Sequence, residues 1–149
     1  MCKFIQGLTL LSTLVSIIWS SCKQLPPAPP TFENKNWQLT ALQSKTGEKQ
    51  LLPTGYGFNL LFKDGRIEGK GGCNYMGFHY QWRYADSVSI FGGDQTMMAC
   101  EPEDRMDWDD RFVERMLLVR ALHWQDSTHL ELRCTDNGRI YFTKTTAPE

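Results

Sequence analysis

The chain has 149 residues, 41% of them hydrophobic, and a formal net charge of −1 from 16 Lys plus Arg against 17 Asp plus Glu. A balance this even, with no dense basic stretch, excludes a protein that tracks a phosphate backbone, so no nucleic-acid partner is expected. The part after about residue 31 suits one domain and is long enough to bury roughly two-thirds of its unfolded surface, so metals or many disulfides are not needed to hold it.

Lys3 precedes a mostly apolar run from Phe4 to Trp19, then Ser20, Ser21 and Cys22. A basic start, an apolar middle and small residues before a cut predict a secretory signal peptide over residues 1–21. The apolar run falls short of the ~20 residues that span a bilayer comfortably, and an uncleaved membrane anchor is the alternative. Small residues directly before a cysteine resemble a bacterial lipobox, although Trp19 stands where a leucine-like residue is usual. That resemblance implies lipid attachment at Cys22 and retention at a membrane by the acyl chains. Residues 22–33 form a linker whose Leu25-Pro26-Pro27-Ala28-Pro29-Pro30 favours an extended spacer. The expected location is the cell envelope, anchored to a bacterial membrane on its periplasmic or surface side, with the folded domain over residues 34–149.

Strands dominate that domain. Trp37, Leu39 and Ala41 alternate with Gln38 and Thr40, and Phe58, Leu60 and Phe62 with Asn59 and Leu61. Lys63-Asp64-Gly65 is a hairpin turn, and Ile67 continues on a return strand that ends in glycines. Phe78, Tyr80, Trp82 and Tyr84 alternate with His79, Gln81 and Arg83; Ala85-Asp86-Ser87 turns the chain into Val88 and Ile90. Pro102 predicts the first turn of a helix, and Glu101, Glu103 and Asp104 suit its positive end. Trp108, Phe112, Val113, Met116, Leu117 and Arg120 follow helical spacing, which leaves Asp109, Asp110, Arg111, Glu114 and Arg115 mostly on the wet side. Leu130, Leu132 and Cys134 share a strand face, Thr135-Asp136-Asn137-Gly138 turns, and Ile140 and Phe142 follow. Seven or eight short strands with one helix read as α+β: a small curved antiparallel sheet or barrel-like domain packed with one α-helix.

Cys2 leaves with the signal and Cys22 takes the lipid, so Cys73, Cys100 and Cys134 remain. Cys73 and Cys100 both fall at element ends beside loops, which makes them the expected disulfide in an oxidising compartment. Cys134, in phase with Leu130 and Leu132, reads as a buried, inert core cysteine. Three thiols with His79, His123 or His129 match no zinc or redox spacing, and seven acidic residues between Glu101 and Glu114 do not follow a calcium loop. No metal and no cofactor is expected. Gly69, Gly71 and Gly72 lack the Lys-Ser/Thr of a phosphate loop, and no nucleophile elbow appears.

Gly71-Gly72-Cys73-Asn74 followed by Thr96-Met97-Met98-Ala99-Cys100 and a helix, with Trp37-Gln38-Leu39, Phe62 to Gly69, Gly77, Tyr80 and Leu130-Glu131-Leu132, resembles the META domain family, which includes HslJ-like heat-shock lipoproteins. The resemblance implies a small, mostly β domain with a helix in a cell-envelope setting, often lipid-anchored and in some members linked to heat or antibiotic stress. It implies no catalytic residues. Asn74 is expected to hold the turn after Cys73 with its side chain. Tyr75, Met76, Met97 and Met98 are the expected exposed apolar rim, with Trp82 and Tyr84 as a further candidate surface. The expected function is a non-catalytic, lipid-anchored envelope protein whose domain meets an envelope protein partner and supports stress tolerance. Two alternatives stay open: a binder of a small apolar or sugar-like ligand in a barrel mouth, and an inhibitor of a secreted hydrolase. An apolar cavity would favour the first of these, and a protruding loop with a charged tip the second.

Overall fold

The structure is a computed structural model that describes residues 32–84 and 86–145. The signal peptide, Cys22 and the linker up to Thr31 lie outside the described residues, as does Ala85 of the expected turn.

Period-two alternation carries the architecture. β1 (Lys35–Gln43) buries Trp37, Leu39 and Ala41; β3 (Asn59–Lys63) buries Leu60 and Phe62. Between them, β2 (Lys49–Leu51) is a short exposed strand paired only to β1. Asp64 (φ 49°) and Gly65 (φ 79°) turn β3 into β4 (Arg66–Lys70), the two positive φ values that a tight hairpin with right-handed twist demands. β5 (Tyr75–Trp82) and β6 (Val88–Gln95) complete one wing. The helix α1 (Asp104–Leu117) follows, then β7 (Val119–Trp124), β8 (His129–Cys134) and β9 (Arg139–Thr145). All pairings are antiparallel, in the order β6-β5-β4-β3-β1-β9-β8-β7.

The sheet curls but does not close. Its two end strands approach through one isolated bridge, Ser87 to Ala121, and through the Leu122 N–H donating to the Asp86 carbonyl at 2.9 Å. Among the described residues the fold is therefore mostly a nine-stranded curved antiparallel sheet with one helix, and the sheet dominates.

Three sequence expectations change. β7 was not expected, and Arg120 lies in it rather than in the helix. The helix stops at Leu117, where the Leu118 N–H reaches back to the Arg115 and Met116 carbonyls. A register shift between Val119 and Ala121 puts Val119 and Leu122 in the interior and breaks the alternation that would have marked a strand. Pro102 lies before the helix; its carbonyl accepts from the Arg105 N–H (3.1 Å), which starts the first turn.

Aromatic rings fill the curl in two groups along the strands. Near one end, Phe112 of α1 meets Phe58 (5.4 Å between ring centres), Phe78 (6.2 Å) and Phe142 (6.2 Å). Four residues further along β3 and β5, Phe32 meets Phe62 (5.4 Å), Tyr80 (5.9 Å) and Trp82 (5.1 Å), and Trp37 meets Trp124 (5.6 Å). Edge-on and tilted pairs of this kind add to the burial itself. Phe32 precedes β1 yet is 1% exposed, so it acts as a plug. Its carbonyl accepts from the Trp37 indole N–H at 3.0 Å, and the Tyr80 hydroxyl donates to Glu33.

Candidate functional site

The two cysteine motifs meet at a buried carboxylate that the sequence reading had placed on the wet side of the helix. Asp109 is fully buried. α1 turns it inward one residue after Trp108, toward the bend between β4 and β5. There the backbone N–H groups of Gly72 (2.7 Å), Cys73 (3.1 Å) and Asn74 (2.7 Å) and the Asn74 side-chain amide (3.1 Å) all donate to it. An unpaired carboxylate in such a place would be costly; four donors offset that cost. The Gly-Gly pair is explained by close approach. A Cβ on Gly71 would collide with the Asp109 carboxylate and the Met76 methyl, and one on Gly72 would stand 3.1 Å from the Phe58 ring.

Asn74 does not hold its own turn as expected; the Gly71 N–H does so by donating to the Asn74 carbonyl at 2.7 Å. The Asn74 side chain instead joins the two motifs. Its amide donates to Asp109, while its oxygen accepts from the Met98 N–H (2.8 Å) and the Thr96 hydroxyl (3.2 Å). Thr96 Oγ1 in turn accepts from the Tyr75 N–H at 3.0 Å. Cys73 and Cys100 are joined by a disulfide, with Cα atoms 5.8 Å apart. The segment from Thr96 to Cys100 is thus fixed at Thr96 and Met98 by hydrogen bonds and at Cys100 by a covalent link.

This network supports an exposed ribbon. Residues 91–99 are all exposed. Among the described residues, Phe91 (49%), Met97 (96%) and Met98 (40%) stand on the ribbon, and Tyr75 (57%) is exposed beside it. The rim therefore contains Tyr75, Met97 and Met98, as expected, and gains Phe91. Met76 is a correction: it is 4% exposed, because successive strand residues face opposite ways and Tyr75 takes the outward position. Trp82 is half-buried against Phe32, whereas Tyr84 is exposed beyond the end of β5, away from the rim. Phe91 stacks on His79 with ring centres 5.8 Å apart.

Cys134 and Glu131 have structural duties. Cys134 is buried and free; its thiol donates to the Arg115 carbonyl, and burial pushes it up to about 11, away from a reactive thiolate. Burial would raise the Glu131 carboxyl, but Arg133 (2.7 Å) and Arg139 (3.3 Å) hold it below its ordinary range. Among the described residues, no group of three or more His, Cys, Asp or Glu side chains is placed to hold a metal ion.

Solved structures share the fold. A protein from Burkholderia xenovorans, solved by NMR, matches with a TM-score of 0.65 at 16% identity, covering 86% of this chain and 97% of its own. The crystal structure of a DUF4847 family protein from Bacteroides vulgatus gives a TM-score of 0.55 at 17% identity, covering 79% and 97%. At these identities the likeness speaks for the fold alone. No curated protein sequence matches the chain. The model of the META domain matches residues 30–147, and the chain belongs to that family.

Proposed function

We propose that this chain is a non-catalytic, lipid-anchored protein of the bacterial cell envelope. Its META domain would serve as an interaction module for another envelope protein, in support of tolerance to heat or antibiotic stress. The observation that carries the reading is the rim: three of the large apolar side chains left in solvent stand on one ribbon, Tyr75 flanks it, and the ribbon is pinned by Asn74 and the disulfide. Exposed apolar groups gathered on a rigid support suit a partner surface, since little order must be imposed when the partner arrives. Asp109 is buried and committed to four donors inside the fold. The basic, apolar and small-residue order before Cys22 supports the anchor. A ligand within the curl is disfavoured, because Phe32 and Phe112 occupy it. The ribbon's exposed Met97 is apolar, which does not favour the inhibitor reading.

The test places a photo-crosslinking residue at Met97 or, as a control, at Leu51, which is also well exposed, on β2. In intact cells the Met97 position should give a discrete protein adduct and Leu51 none. Cys22→Ser should release the chain from the membrane fraction. No adduct at Met97, or equal adducts at both positions, would refute the rim; an unchanged membrane fraction would refute the anchor.

A further inference from the structure

On the outer face of β4, β5 and β6 lies an open concavity of about 340 Å³. It adjoins the rim at Tyr75 and Thr96, and Gly77 is among its lining residues. Cross-strand register puts Glu68 on one side of Gly77 and Asp94 on the other. Arg66 reaches over the same glycine from the next row. A Cβ on Gly77 would stand 3.0 and 3.2 Å from the two Asp94 oxygens and 3.4 Å from Arg66 Nη2. The missing side chain therefore lets a carboxylate and a guanidinium approach one another from opposite sides of one backbone position.

The two do not pair. Arg66 donates through Nε to Glu68 (2.7 Å), and its Nη1 lies 3.2 Å from His79 Nε2. Among the described residues, neither Arg66 Nη2 nor the Asp94 carboxylate has a hydrogen-bond partner. Tyr75 shares the outward face with Gly77, two positions away on the same strand, and exposes more than half its surface. The Gln95 amide completes the rim of the hollow. The site thus offers an unpaired acceptor, a donor held at its Nε by Glu68, and a flat aromatic face.

We propose that this hollow binds a neutral sugar residue of a glycan. A hydroxyl is both donor and acceptor, so neighbouring hydroxyls can accept from Arg66 Nη2 and donate to Asp94 without either group shedding charge. The C–H face of the same ring would lie on Tyr75, as apolar faces do on exposed aromatics. A zwitterion could also bridge an acid and a base, but it has no apolar face for Tyr75 to cover. The site shares Tyr75 with the partner surface and does not depend on the anchor.

Saturation-transfer NMR on the full chain in detergent micelles tests this with three probes: chitotriose, maltotriose and free lysine. At least one sugar should receive transfer from the wild type, and lysine none. Asp94→Asn should weaken that binding by about tenfold, the scale of one charge-assisted hydrogen bond. Gly77→Val should abolish it, with the amide spectrum showing the fold intact. If Gly77→Val does not fold, Asp94→Asn decides, since Asp94 is exposed and bonds nothing else among the described residues. Transfer to neither sugar, transfer to lysine instead, or sugar binding undiminished in Asp94→Asn would overturn the proposal.

Discussion

The two ends of the curled sheet are closed by opposite kinds of chemistry. At the helix end a buried carboxylate, three backbone N–H groups, an asparagine and a disulfide tie β5, the ribbon and α1 together. At the other end a single phenylalanine, Phe32, within the expected linker bounds, is pushed into a ring of aromatics. Polar closure is directional: each donor has one correct place, and a misplaced group is left unsatisfied. Apolar closure tolerates small shifts, because burial depends on area more than on angle. The exposed rim stands at the directional end, and the described chain begins, at Phe32, at the tolerant one.

Substitutions separate the two closures. Asp109→Ala should have the largest effect, about 4 kcal/mol, because it strands four buried donors at once. Urea unfolding should show it. A loss under about 1 kcal/mol would mean that water or neighbouring groups readily satisfy those donors. Removing the disulfide by Cys73→Ser with Cys100→Ser should cost about 3.5 kcal/mol by loop entropy across a sequence separation of 27. Its distinguishing sign is local: amides from Thr96 to Cys100 should exchange faster, while those around Phe32 stay unchanged. Phe32→Ala should cost about 3 kcal/mol, at the low end for a buried ring. It should alter the fluorescence of Trp37 and Trp124 and leave the Asp109 network intact.

A smaller effect is expected from pH. Burial, and then the hydrogen bond to Glu33, raise the Tyr80 hydroxyl above its ordinary range. The folded state therefore holds a proton that the unfolded chain would release. The stabilisation is complete below the ordinary tyrosine range and is lost as pH climbs through the raised folded value. Tyr80→Phe should flatten this alkaline limb in pH-dependent unfolding. An unchanged limb would show that Tyr80 ionises in the folded state as it does in water.

Much of the sheet was legible because buried strands write their period directly. Trp37-Leu39-Ala41, Phe58-Leu60-Phe62 and Ile140-Phe142 each point one face inward, and Asp64-Gly65 names its own turn. The disulfide was legible from two cysteines at element ends. Where alternation failed, so did the reading: β7 carries a bulge, and β2 buries nothing. Met76 was misplaced because it was grouped with its outward-facing neighbour, although β5 already begins at Tyr75 and turns Met76 inward. The deepest miss was Asp109. An aspartate in a helix rich in charge looks solvated, and nothing local distinguishes it from Asp110. A signal did exist elsewhere in the chain: two adjacent glycines before Cys73 leave backbone N–H groups that need an acceptor and make room for one.

That pairing of a buried carboxylate with a glycine-lined bend is best examined by native-state amide exchange followed by NMR. The N–H groups of Gly72, Cys73, Asn74 and Met98 should be among the slowest outside regular structure, slowed on the order of 10⁴-fold or more relative to an open chain, and Asp109→Asn should speed all four together. Exchange of these amides at the rate of a solvated loop in the wild type would contradict the keystone role of Asp109.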